Sequence, residues 1–208
     1  MTYHLQPSRL IVGLLLLSAV LFPGGNLQAK KLQSICGRVF LQSGDTIEAV
    51  GETRLTPPAK HKKLEIINNA YTKRRKVASR LKPETVDSAV VWSATSPDHP
   101  HTLIYLKDYG WCQQLEHNDH ITVCCFSPKG YFLSGNGGIW MRGKGVMLVV
   151  KDGEIYNFGK TYNKINNSAR RRLETLVADD PALSAYFHTA IGRCDKVVRA
   201  LGRYNPEK

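Results

Sequence analysis

Several ingredients that usually announce a function are missing or scarce. None of the five cysteines stands in a C-x-x-C pair, so a thioredoxin-like redox centre has no basis. The glycine-rich stretch at 135–138 lacks the Gly-Lys-Ser/Thr ending of a phosphate loop. Gly143-Lys144-Gly145 runs on into Val146 and Met147 and fails the same test. Beyond residue 22 no apolar run is long enough to cross a bilayer, which takes about 20 residues. Acidic residues are few beside basic ones, 17 against 29, for a formal net charge of +12 over 208 residues. No motif specifies a reaction, and the residues imply no cofactor, no metal site and no catalytic group. What is present, 42% hydrophobic and 22% charged residues, excludes a wholly disordered, collagenous or coiled-coil chain and allows one compact domain or two small ones.

The N-terminus carries the clearest signal. Residues 1–9 hold Arg9 and no acid, and residues 10–22 form an apolar run. Pro23-Gly24-Gly25 then breaks a helix, and Leu27-Gln28-Ala29 puts a small residue before Lys30. This is the order of a secretory signal peptide at 1–29, with cleavage near Ala29. A lipoprotein anchored through Cys36 is the other reading. The bulky Ile35 before that cysteine and the intervening Lys30 and Lys31 weigh against it. The expected mature chain is exported, periplasmic or envelope-associated, with no transmembrane helix. It meets an oxidising environment where disulfides persist. Cys36, Cys112, Cys124, Cys125 and Cys194 are an odd number, so at least one stays a thiol or pairs between chains. Cys124 and Cys125 point to opposite faces if they lie on a strand, so one of them at most should serve the core easily.

Charge is uneven along the chain. Residues 52–82 hold ten Lys or Arg against Glu52 and Glu65, whereas in residues 83–126 Lys107 is the single base. The β-rich part is expected over 30–160, in consecutive hairpins. Ser43-Gly44-Asp45 turns between strands at 37–41 and 46–50, with Val39, Leu41 and Ile47 as inward candidates. Residues 63–68 alternate, and 75–79 return as a second hairpin. Strands follow at 89–92, 102–106, 111–116 and 121–126, with a loop expected at 96–100. Lys151-Asp152-Gly153 between apolar runs at 146–150 and 154–158 is the strongest turn signal. Residues 161–208 change character. Asn167 or Ser168 is expected to cap a helix to about Val177, Asp180-Pro181 starts a second and Asp195 caps a third. The expected fold is therefore α+β: an antiparallel β-rich domain of about eight to ten strands followed by two or three C-terminal helices.

The Ser43-Gly44-Asp45-Thr46 hairpin soon after the signal segment, with Asp179-Asp180-Pro181-Ala182-Leu183 and a tail ending in Arg203-Tyr204-Asn205, resembles a family of uncharacterised secreted or periplasmic proteins of Bacteroidetes-type bacteria. The resemblance implies a β-rich exported domain with a helical tail and carries no catalytic residue. The glycine-rich stretch at 135–145 and the number of cysteines depart from it.

Three constellations deserve weighing. His99, His101, His117 and His120 lie within 22 residues, near Cys112, Cys124 and Cys125, and imidazole and thiolate are zinc ligands. Their spacing matches no specific zinc pattern, and solvated surface histidines are the simpler reading. Cys112 or Cys125 with His117 or His120 supplies two members of a thiol hydrolase, without a local signature. Lys60, Lys62, Lys63, Lys73, Arg74, Arg75 and Lys76 form a basic run suited to an anionic partner. Only Tyr71 is available nearby for stacking, and export argues against a specific nucleic acid. A solvated hairpin edge protected by lysine is the competing account. The leading expectation is a non-enzymatic binding or structural domain at the cell envelope, directed at an anionic component or another protein. The alternative is a periplasmic hydrolase using a cysteine or a His-bound metal.

Overall fold

The computed structural model describes residues 35–70, 72, 74, 76–133, 139–141, 145–160, 165–189 and 192–206. The expected signal segment at 1–29 lies outside these residues, as do Tyr71, Lys73 and Arg75. Thirteen strands are present among the described residues: β1 Cys36–Leu41, β2 Thr46–Ala49, β3 Arg54–Leu55, β4 Leu64–Asn68, β5 Lys76–Leu81, β6 Val86–Ser93, β7 Ser96–Leu106, β8 Gly110–His117, β9 Ile121–Phe126, β10 Tyr131–Leu133, β11 Ile139–Met141, β12 Val146–Lys151 and β13 Glu154–Lys160. Three helices follow, α1 Asn167–Leu176, α2 Pro181–Thr189 and α3 Cys194–Leu201. The α+β class holds, with strands first and helices last.

Eight strands make one antiparallel sheet in the order β13-β12-β9-β8-β7-β6-β1-β2. A smaller sheet has the order β3-β4-β5, and β10 pairs with β11. Turn chemistry sets several registers. Asp152 and Gly153 both take positive φ, 54° and 77°, as the tightest two-residue hairpin requires, and Lys151 lies opposite Glu154. Ile35 exchanges two 2.8 Å backbone bonds with Leu55, which ties β3 to the start of β1.

Apolar alternation then builds the core. Val39, Ala49, Leu55, Leu64, Val86, Ala89, Val91, Leu103 and Trp111 are buried between the small sheet and one end of the large one, with Leu41 and Ile47 packed against them. At the other end Ile121, Val123, Met147, Val149 and Phe158 meet Leu173, Val177, Phe187, Val197 and Leu201 from the helices. The helical segment is thus packed on the sheet rather than standing beside it. Cys112, Cys124, Phe126 and Leu148 make a third cluster, formed by the alternate residues of β8, β9 and β12. Cys124 and Cys125 are consequently both buried, against the expectation that one alone would serve the core. The physical reason is that β9 carries apolar neighbours on both faces.

Other expectations shift in detail. Asn166, one residue earlier than expected, caps α1 by accepting the Ala169 N–H at 2.8 Å. Arg193 precedes α3, so Asp195 sits in its first turn, bonded to Arg193 and Arg199. Residues 96–100, expected as a loop, are the first part of β7. Pro97 and Pro100 fit there because the β6–β7 register passes from Ser93↔Ser96 to Val91↔His101 through a bulge that holds residues 97–100, and the pairing of β7 with β8 begins only at Thr102.

Candidate functional site

Trp111 organises a basic part of the surface. It is fully buried, and both of its N–H groups point at one strap of chain. Its backbone N–H donates to the Lys60 carbonyl at 2.9 Å, and its indole Nε1–H donates to the Lys62 carbonyl at 3.0 Å. Gly110 makes the approach feasible. Its φ is +98°, and a Cβ there would stand 2.3 Å from the Lys60 carbonyl oxygen. Lys60 itself adopts a φ of 33° to present that carbonyl inward. With the carbonyls turned in, Lys60, His61, Lys62 and Lys63 are all exposed. His61 Nδ1 lies 3.1 Å from the Tyr105 hydroxyl, and the Tyr105 ring meets the edge of Trp111 at a centroid distance of 5.7 Å. Tyr131 completes the base, its hydroxyl donating to the Trp111 and Cys125 carbonyls.

The basic run is divided by this fold. Leu64 pairs with Leu81 and Asn68 with Lys76, so Lys60, Lys62 and Lys63 enter at one end of the β4–β5 hairpin. Arg74 and Lys76 stand at the other end, about 14 Å away along β4 at the usual rise per residue. All five are exposed. Lys73 and Arg75 lie outside the described residues. Sequence reading missed Arg80 and Lys82, also exposed, which join the two ends along β5. Arg80 Nε bonds Glu65 Oε1 at 2.8 Å across the pair. Alternation along β5 was the signal that could have found Arg80.

His101, His117 and His120 each have a different partner. His101 Nδ1 faces Gln113 Nε2 at 2.8 Å, and burial followed by the neighbouring His99 lowers its pKa. His117 Nδ1 lies 2.8 Å from Thr122 Oγ1, and the His120 ring meets Tyr204 edge-on. Among the described residues, no three His, Cys, Asp or Glu side chains converge where a metal ion would sit. The thiols fare no better as nucleophiles. Burial, then Cys125, raises Cys124 to about 12, and burial, then Cys194, raises Cys125 to about 12. Cys112 is pushed up as well, mainly by burial. These sulfurs are protonated at neutral pH, whereas attack requires the thiolate.

Two open grooves flank the helices. One, of about 380 Å³, runs between β12–β13 and α1 and is lined by Lys151, Tyr156, Phe158 and Arg172, with the Arg172 guanidinium 5.1 Å above the Phe158 ring. The other, of about 460 Å³, lies between α1 and α2 and holds Glu174, Ser184 and His188. His188 Nδ1 pairs with Glu174 at 2.9 Å, but its side chain is 74% exposed. A Ser–His–acid engine works in a water-excluded site with aimed oxyanion donors, and this imidazole stands in solvent.

Two of the three sequence stretches behind the family resemblance, 179–183 and 203–205, touch one another. The Tyr204 hydroxyl donates to Asp179 Oδ2 at 2.6 Å, and the Asn205 N–H donates to Asp180 Oδ2 at 3.1 Å. Asp180 Oδ1 also caps α2 by accepting the Leu183 N–H at 2.9 Å. Lys151 Nζ bonds both Asp179 Oδ2 and the Leu176 carbonyl, and lies 4.8 Å from the Tyr204 ring centroid. Asn118 holds the tail from the sheet side, donating to the Gly202 and Tyr204 carbonyls. This is a structural clasp on residues 202–205, so the motif pair is explained by folding. Comparison with family models, with curated proteins and with solved structures gives no match.

Proposed function

We propose that this chain is an exported domain, without a reaction of its own, that binds an anionic partner at the cell envelope through its strap lysines and the β4–β5 hairpin. The observation that carries the reading is the strap: two bonds from Trp111 turn the Lys60 and Lys62 carbonyls inward and leave Lys60, Lys62 and Lys63 exposed on a fixed backbone. Charges held in place by a rigid support lose less on binding than charges on a free loop. Burial and raised pKa of Cys112 and Cys125 count against the cysteine hydrolase, and the lack of any three converging ligand side chains among the described residues counts against the metal hydrolase.

The test uses the mature chain, residues 30–208, titrated with dextran sulfate and with neutral dextran. Binding of the sulfated polymer alone is expected, weakening as salt rises. The triple variant K60Q/K62Q/K63Q should bind several-fold less tightly with an unchanged unfolding midpoint. Equal binding of both polymers, or a triple variant that binds as the parent does, sinks the reading. The export half is tested separately by the intact mass of the protein from its native envelope, which should match residues 30–208.

A further inference from the structure

We infer that β5 is a docking edge for an extended acidic segment of a partner protein, which adds beside it as a fourth strand of the small sheet. The inference rests on the anionic-partner reading and names the partner class. β5 closes the β3-β4-β5 sheet, with β4 as its neighbour among the described residues. The register shows which backbone groups it offers. The Thr56 N–H donates to the Glu65 carbonyl at 3.0 Å, so the main-chain groups of Glu65 face β3. In an antiparallel ladder the N–H and C=O of one residue point the same way, which makes Glu65↔Arg80 a non-hydrogen-bonded pair. The Arg80 N–H and C=O therefore face away from β4, towards an incoming strand.

Side chains define the occupant. Lys76, Val77, Ala78 and Arg80 are exposed along the strand, with Arg74 before it and Lys82 after it exposed too. Val77 is 44% exposed and offers an apolar contact. A second copy of β5 would set Lys and Arg opposite Lys and Arg, and like charges directly opposite destabilise a pair. A strand carrying Glu or Asp reverses that sign and pairs with the same cations. β5 contains no aromatic side chain, so bases would have nothing to stack on there. Main-chain bonds then supply affinity and alternate side chains supply selectivity, as in other cases of strand addition.

The experiment uses the mature chain and a fluorescent ten-residue peptide of alternating Glu and Val, followed by anisotropy. Two further peptides carry N-methyl groups on the odd or on the even amides, which removes the donors of one edge at a time. The unmodified peptide and one methylated form should bind, and the other form should bind at least about tenfold more weakly, the loss of a set of backbone bonds. R80E, checked for an unchanged fold by circular dichroism, should lose the acidic peptide and gain one of alternating Lys and Val. Equal binding of all three acidic peptides overturns the strand geometry, and dextran sulfate binding would then persist by charge alone. Tighter binding of a single-stranded oligonucleotide than of the acidic peptide overturns the partner class. Failure of dextran sulfate as well as peptide removes the parent reading too, so the two failures are told apart.

Discussion

The two ends of the large sheet are closed in different ways. At the β9–β12–β13 end three helices cover the sheet, and the chain terminus is held by several side chains, Asp179, Asp180, Lys151, Asn118 and Tyr204, each contributing one or two bonds. At the β1–β6–β7–β8 end a small sheet and a strap do the covering, and the strap hangs on Trp111. The first end spreads its fastening over many modest contacts, and the second concentrates it in one large side chain. The exposed strap residues Lys60, Lys62 and Lys63 stand at the concentrated end. A binding surface gains from that arrangement: one rigid anchor fixes the backbone while the lysines above it remain in water.

Removing the anchor should have the largest effect. Trp111→Ala deletes a buried indole and its bond to Lys62, and is expected to cost about 3–5 kcal/mol, read as a lower urea midpoint. Trypsin should then cut at Lys60–Lys63 well before the helical end. Simultaneous loss of both ends would show that the strap has no separate stability. The distributed end should yield less to any single change. Asp180→Ala removes the α2 cap and the Asn205 bond together, for a loss of about 1–2 kcal/mol. A larger loss than that of Trp111→Ala would invert the comparison.

The smallest expected effect is electrostatic. Burial of Asp179 works to raise its pKa, but hydrogen bonds from Lys151 and then Tyr204 outweigh it and hold the pKa below the usual 3.8. A depressed acid contributes stability that is present above its unfolded pKa and is lost as pH falls through the folded value. The clasp should therefore weaken below about pH 4, and Tyr204→Phe should make that acid limb shallower while changing the neutral-pH midpoint little, since Asp179 is 47% exposed. Lys151 shows the opposite sign. Burial opposes its charge, yet Asp179 and Tyr204 raise its pKa above 10.5, so its contribution is present below that value and fades as pH rises through the folded one. Denaturant midpoints from pH 2 to 6 in wild type and Tyr204→Phe check the acid side; parallel curves would mean that Tyr204 does not couple to Asp179.

Much of the strand pattern was legible because it is local. Alternation located β4, short β-rich or apolar runs bounded by turn residues located β1, β2, β9, β12 and β13, and Asp152-Gly153 located a turn through the backbone angles that those residues tolerate. Helical spacing sets Leu173, Leu176 and Val177 on one side and Val197, Val198 and Leu201 on another, and all of these but the half-buried Leu176 are buried. The first part of β7 was illegible because two prolines speak against a strand, and a bulge against β6 together with the short reach of β8 makes them acceptable there. Arg80 escaped notice as a surface cation because it lies outside the dense basic run, although β5 carries it between the two halves of that run.

By itself, then, the order of residues determined the strand-then-helix class, the main hairpins, the unequal distribution of charge and the absence of any recognisable reaction motif. These follow from side-chain period and from residues that favour particular backbone angles, both properties of short stretches. Tertiary structure alone decided that Lys60 and Lys62 would be fastened by Trp111, about fifty residues on, that the basic run would be split between the two ends of a hairpin, and that the Asp179-Asp180 pair would grip Tyr204 and Asn205. Hydrogen bonds between residues so far apart leave no periodic trace in the chain. They exist only once burial of the apolar faces has brought the partners within about 3 Å.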